Sequence, residues 1–246
     1  LLKQNANYHS MVRDNARLKT QLERERTRYA NGNATEKARM KPNLDTLVNR
    51  TARIDKQIAK ADIDIERAFG EYAKALTFDP EDKALLGEIA SNYNFYRRYE
   101  AAAKTRLKLI ALGKNGISDY MQVGIAYNLG GKYKSADSIF NIVIKMDPNY
   151  IDAYVYSART YSQMETDAKA GLARQKFEKV IEKASVDSVK YGNQYMEAFG
   201  YLAYHYLQND NFGKAKEYFN RMVTLDPNNK DNKIRGYNGI GQAEYK

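Results

Sequence analysis

Residues 119–148 read DYMQVGIAYNLGGKYKSADSIFNIVIKMDP. Two helix-period patterns lie in this stretch, separated by Gly130-Gly131 and closed by Asp147-Pro148. In the first, Tyr120, Gly124 and Tyr127 are spaced four and then three residues apart; in the second, Ala136, Phe140 and Val143 are spaced the same way. Spacings of three, four and seven gather side chains on one helical face. The small residue lets a second helix approach closely, and the aromatics fill the volume on either side. Glycine at the joint can take the positive φ of a helix end, and Asp-Pro stops the second helix. The stretch predicts two packed, antiparallel helices.

The cadence recurs. A small residue stands three before a tyrosine in Ala90/Tyr93, Gly124/Tyr127, Ala158/Tyr161 and Ala203/Tyr206, and a large hydrophobic precedes each by four: Leu86, Tyr120, Tyr154 and Phe199. Second helices repeat Ala68, Ala102, Ala136, Ala173 and Ala215. Tyr72, Arg106, Phe140, Phe177 and Phe219 follow at four residues, then Ala75, Leu109, Val143, Val180 and Met222 at three more. The alanines are 34, 34, 37 and 42 residues apart, so a period of 34 holds and then absorbs insertions of 3 and 8. Arg106 breaks the aromatic rule and implies either a stem that snorkels past the pair or a looser contact. The stops Asp79-Pro80, Asp147-Pro148 and Asp226-Pro227 share the register, Pro80 and Pro148 being 68 residues apart. Asn209-Asp210-Asn211 occupies the joint that Gly130-Gly131-Lys132 fills earlier. Glu81-Asp82, Asn149 and Asn228-Asn229 suit helix N-termini. Residues 185–193 have no counterpart and read as an elongated loop or an extra helical turn.

At this point the chain resembles the tetratricopeptide-repeat (TPR) family, whose helix-pair unit repeats every 34 residues and ends in proline. The resemblance covers about residues 61–229 and is strongest over 119–148 and 199–227. It implies an all-α, right-handed α-solenoid of antiparallel helix pairs, with about five repeats near 43–82, 83–116, 117–150, 151–187 and 196–229. The array as a whole is expected over 42–229. The arrangement also resembles TPR proteins of bacterial cell envelopes, which favours a periplasmic or envelope location over the cytoplasm without fixing it.

The flanks read differently. In residues 1–41, Tyr8, Met11, Leu18, Leu22 and Tyr29 follow a heptad seam interrupted by Asn15 and Glu25. This basic segment is a solvated helix, a packing helix or a coiled-coil partner for a homodimer. Asn31-Gly32-Asn33 should end it. Residues 43–60, with Leu44, Leu47, Val48, Ile54 and Ile58, are expected to form a degenerate first helix, and Ile63, Ile65 and Phe69 to begin its partner. Residues 230–246, with Gly236, Gly239 and Gly241, form either a capping helix or the first half of a truncated repeat.

Composition narrows the function. The chain has no cysteine, which excludes disulfides, thiolate catalysis and Cys-ligated zinc. Its start, Leu1-Leu2-Lys3, has neither an initiator Met nor a signal-peptide pattern and reads as a fragment or processed form. No run reaches the roughly 20 apolar residues that span a bilayer. Of the net charge of +10, residues 1–60 carry +8, from 14 Lys/Arg against 6 Asp/Glu. The remaining residues are nearly neutral, with 26 against 24. Polyanion affinity would therefore sit in the N-terminal arm, and nucleic acid is not expected as the main partner.

No catalytic constellation, cofactor site or metal site is expected. His9 and His205 are the two histidines, and His205, between Tyr204 and Tyr206, reads as a partly buried packing residue. Gly131-Lys132 lacks the Ser/Thr and the earlier glycine of a phosphate loop, and Gly236–Gly241 is out of register for a dinucleotide fingerprint. Asp62, Asp64 and Glu66 suit a helix start better than a metal.

In TPR arrays the first helices line a concave surface, so the resemblance implies a groove formed by Asn94, Met121, Gln122, Ile125, Asn128, Tyr156, Arg159, Tyr201 and Tyr204. Aromatic residues, Met and Arg are the usual interface anchors. Some TPR proteins clamp a chaperone's C-terminal carboxylate with basic and asparagine side chains. Here those places hold Gly87, Ser91, Gln122, Asp152 and Tyr156, so that clamp is not expected. The function implied is a non-enzymatic scaffold that binds a protein or peptide in the groove. Binding of nucleic acid or an anionic surface by the basic N-terminal arm, or self-assembly through the N-terminal helix, are the alternatives.

Overall fold

The computed structural model describes residues 2, 7–113, 115–167, 169–187, 189–225 and 229–245. All regular structure among them is helical. The chain divides into two compact units, Leu1–Tyr96 and Arg97–Lys246.

The first unit contains α1 (Tyr8–Asn31), α2 (Ala34–Phe78) and α3 (Lys83–Phe95). Asn33 caps α2, accepting from the Glu36 amide while Glu36 reaches back to the Asn33 amide. The expected turn at residues 31–33 is therefore present, and it folds α1 back along α2. Tyr8 donates to Asp62 at 2.9 Å and Asn15 to Asp55 at 2.7 Å, a pairing that runs antiparallel. Tyr8, Leu18 and Leu22 of the heptad seam are buried on this intramolecular contact, and so is Asn15. The hydrogen bond from Lys19, with that from Asn15, holds the Asp55 carboxyl below its ordinary value.

The helix pair expected over residues 43–78 is instead one uninterrupted helix, which passes through Pro42 and across the expected boundary at 41/42. The reason is legible in Ile54, Ile58, Ala61, Ile65 and Phe69, whose spacings of four, three, four and four make one continuous stripe with no glycine or proline break. Phe69 stacks on Tyr93 at 4.2 Å, and Tyr8, Ala61, Ile65, Phe69 and Tyr96 bury together.

The second unit runs α4 (Tyr99–Ala111), α5 (Ile117–Leu129), α6 (Tyr133–Met146), α7 (Ile151–Met164), α8 (Arg174–Ala184), α9 (Gly192–Gln208), α10 (Phe212–Leu225) and α11 (Lys230–Glu244). Each helix packs on its neighbour in sequence, which is the arrangement of a helical solenoid. The aromatic of each second helix is a core knob: Phe140, Phe177 and Phe219 are all buried. A Cβ added to Gly124 would stand 2.4 Å from the Phe140 ring, which explains the small residue at that position. Arg106, the exception, is partly buried, and desolvation pulls its guanidinium below its ordinary value while Asp119 opposes the shift.

The joints keep register as well. Arg97 and Gly131, 34 residues apart, have φ of 59° and 72°, and Asp210 has 56°. Asp79 and Asp147 both accept the amide two residues on, across Pro80 and Pro148; Asp226-Pro227 lies outside the described residues. Asp82 and Asn229 cap their helices with side-chain oxygens. Asn149 does not, because the cap position of α7 falls on Tyr150. The long segment before α9 ends in an extra turn, which gives α9 17 residues.

Candidate interaction groove

Helices α7 and α9, each the first of a pair, and α11 line a cavity of about 740 Å³ in the second unit. Met196, Gly200, Tyr201 and Tyr204 come from α9, Asn232 and Arg235 from α11, and Ser162 from α7. The loop after α7, which carries the three-residue insertion, adds Glu165.

Two of the anions in this wall are already engaged. Glu165 accepts from the Tyr201 hydroxyl at 2.7 and 2.8 Å and from the Ala173 amide at 2.8 Å. Burial, with that carboxylate as acceptor, drives the Tyr201 phenol well above its ordinary value and keeps it a donor. Glu197 takes a two-pronged bond from Arg159, at 2.5 and 2.6 Å, and this partner holds the guanidinium pKa up. Arg159 also lies 5.0 Å from the Tyr156 ring centre. Such bidentate pairs fix both side chains in one geometry.

The aromatic wall is stacked. Tyr201 lies on Phe177 at 4.4 Å and parallel to His205 at 6.1 Å. Gly171, with φ of 65°, presses against His205: a Cβ there would meet the imidazole Cε1 at 2.6 Å. The insertion loop thus buttresses the groove at two points. His205 is a partly buried packing residue, as expected, and also faces the cavity. Tyr204 stands edge-on to Phe219 at 5.2 Å and is 40% exposed.

The arrangement offers an apolar floor at Met196, Gly200 and Tyr204, amide side chains at Asn193, Asn232 and Gln208, and a cation at Arg235. A Cβ on Gly200 would be 3.6 Å from Arg235 Nη2, so the guanidinium lies across the floor. Among the described residues, Arg235 has no carboxylate within ion-pair distance, and no cluster of His, Cys, Asp or Glu could hold a metal ion.

The sequence-derived groove residues scatter over this geometry. Tyr201 and Tyr204 line the cavity. Tyr156 and Arg159 adjoin it through the Glu197 pair, with Tyr156 also stacked on Phe140 at 5.6 Å. Met121 is buried in the α5–α7 core, and Asn128 is buried with its amide bonded to Thr160 at 2.9 Å, so neither offers open surface. Ile125 is partly buried on the same core, Gln122 is exposed, and Asn94 is exposed in the first unit. Sequence reasoning missed Glu165, Met196, Glu197 and Arg235. The three-residue insertion was the available signal for Glu165. Arg235 was missed because α11 had no assigned face.

Register, knobs and joints together make this chain a tetratricopeptide-repeat protein, with the helical-solenoid fold of protein-interaction scaffolds. It is similar to the C-terminal part of a TPR repeat-containing protein from Cytophaga hutchinsonii, at 27% identity over 76% of this chain and 69% of that one, with a TM-score of 0.58. It also resembles MamA (20% identity, 70% of this chain and 87% of that one, TM-score 0.50). A further likeness is to YrrB, described as a TPR protein with an unusual peptide-binding site (16%, 77% and 89%, TM-score 0.50). No protein-family model and no curated protein matches the chain. Among the described residues, no helix is long and apolar enough to cross a membrane.

Proposed function

We propose that this chain is a non-enzymatic scaffold that holds an extended segment of a partner protein in the groove between α7, α9 and α11. The observation that carries this reading is the preorganised wall. Arg159–Glu197 and Tyr201–Glu165 are already locked, while Tyr204, the amides and Arg235 are left facing the cavity. A wall of this kind lowers the ordering cost of binding. Amide side chains match a peptide backbone, and the Met196–Tyr204 floor suits one apolar side chain. The peptide-binding site described for YrrB supports the reading by analogy of fold alone.

Selection of displayed random peptides on the intact chain tests it. Peptides enriched on the native chain should lose at least tenfold in affinity against Tyr204→Ala/Arg235→Ala, with the helical circular dichroism unchanged. Enrichment of the same peptides with equal affinity on that variant would reject the groove. The N-terminal arm has less to recommend it as an anion-binding surface, because Arg26 and Arg28 already face Glu23 and Glu25, and Lys19 faces Asp55.

A further inference from the structure

The groove does not close at Met196. A second cavity of about 400 Å³ adjoins it and shares Asn193, Met196 and Asn232 with it. One wall of this cavity is Val189, Lys190 and Gly192, and Leu225 of α10 contributes another. Val189 and Lys190 belong to residues 185–193, the insertion that the 34-residue unit does not contain. That insertion is held in one shape by Asp187. Its amide donates to the Ala184 carbonyl at 3.2 Å, its carboxylate accepts from the Lys190 amide at 2.9 Å, and its carbonyl accepts from the Tyr191 amide at 3.1 Å. The Lys190 ammonium lies 5.0 Å from the Tyr191 ring centre, and Gln194 ties the start of α9 to Asp152 of α7 at 3.2 Å. The turn fixed in this way holds Val189 at 92% exposure. An exposed valine by itself needs no explanation. This one is held on a bonded turn, at the rim of a cavity that Met196 and Leu225 also line.

Charge marks a second point on the same path. Arg235 Nη2 would lie 3.6 Å from a Cβ on Gly200, midway along α9. The carboxylates in this wall already have partners: Glu197 takes Arg159, and Glu165 takes Tyr201 and the Ala173 amide. Among the described residues Arg235 has no carboxylate within ion-pair distance. The wall therefore complements an anion, and a guanidinium fork matches a carboxylate with two parallel bonds. Gly200 and Gly192 are eight residues apart along α9. That is about 12 Å at 1.5 Å per residue, which an extended chain covers in about four residues.

Resting on the groove reading above, we propose that the partner segment is read at two points. An Asp or Glu side chain meets Arg235, and an apolar side chain about four residues away enters the cavity between Val189, Met196 and Leu225. The segment runs through both cavities, so the carboxylate that is read belongs to an internal side chain and not to a chain end. The insertion is the specificity device, since it walls a subsite that the 34-residue unit lacks.

Random peptides displayed and selected on the whole chain, then resynthesised with amidated C-termini and titrated by fluorescence anisotropy, test this. Enriched peptides should share an Asp or Glu with an apolar residue about four positions away. Arg235→Glu should cost them at least tenfold in affinity, and selection repeated on that variant should replace the acid by Lys or Arg. Val189→Asp should cost at least fivefold, and a peptide whose apolar residue is changed to Ala should bind that variant and the native chain alike. Val189 and Arg235 are both exposed, so these variants keep the fold. Peptides that lose affinity on Tyr204→Ala but carry no acid, or that bind Val189→Asp as well as the native chain, overturn the two-point reading and leave the groove standing. Peptides indifferent to Tyr204→Ala as well overturn both. Binding that requires a free C-terminal carboxylate also overturns the proposal, because the segment would then end at Arg235.

Discussion

Gly239 and Gly241 stand two residues apart in α11 and meet opposite surroundings. A methyl group at Gly239 would lie 2.3 Å from the Phe219 ring, which is fully buried and braced edge-on by Tyr204. A methyl group at Gly241 would meet nothing within 4 Å. Replacing a helical glycine by alanine gains about 1 kcal/mol of helix propensity at either site. At Gly241 that gain stands alone, so Gly241→Ala should stabilise α11 by about that amount. At Gly239 it is opposed by overpacking, which costs about 1–3 kcal/mol in a dense core. Propensity cancels between the two variants, and the difference of about 1–3 kcal/mol reports the close approach of α11 to α10. Native-state hydrogen exchange of the α11 amides is the suitable assay, because the helices of a linear array open locally. Protection in Gly239→Ala equal to or above that in Gly241→Ala would refute both the contact and the orientation of α11. Since the Phe219 ring also supports Tyr204, Gly239→Ala should weaken groove peptides without touching them.

Two further outcomes are expected. Burial, reinforced by its 2.6 Å bond to Glu88, raises the Tyr72 phenol from an ordinary value near 10 to about 12. With the folded value the higher one, its contribution to the first unit is complete below pH 10 and is lost as pH rises toward about 12. The alkaline titration spectrum of the native chain minus that of Tyr72→Phe should show one phenol with a midpoint of about 12, and an ordinary midpoint for that difference would refute it. In the second unit, Gly171→Ala should cost about 1–3 kcal/mol in urea unfolding, from left-handed strain and the push on His205. It should also lower groove affinity, whereas unchanged stability would show that the insertion loop does not buttress the wall.

Much of the array was legible because its determinants are local or periodic. The 34-residue step, the Ala–Phe knobs and the positive φ at Gly131 and Asp210 follow from spacings and turn residues that act within one helix pair. The long α2 was legible too, in its unbroken Ile54-to-Phe69 stripe, but the repeat register was extended into it and imposed a break that the residues do not contain. The groove was legible only in Tyr201 and Tyr204.

By itself, then, the sequence determined that this is a tetratricopeptide-repeat chain, which small residues its knobs need, and that the charge lies outside the array. Only the tertiary structure decided how α1 folds onto α2 through Tyr8–Asp62 and Asn15–Asp55, pairs 54 and 40 residues apart. It also decided that Glu165, Glu197 and Arg235 converge on one cavity. The physical reason is range. Helical periodicity constrains partners a turn apart, whereas a wall made from three helices and a loop depends on the path of the backbone between them, which no spacing rule encodes.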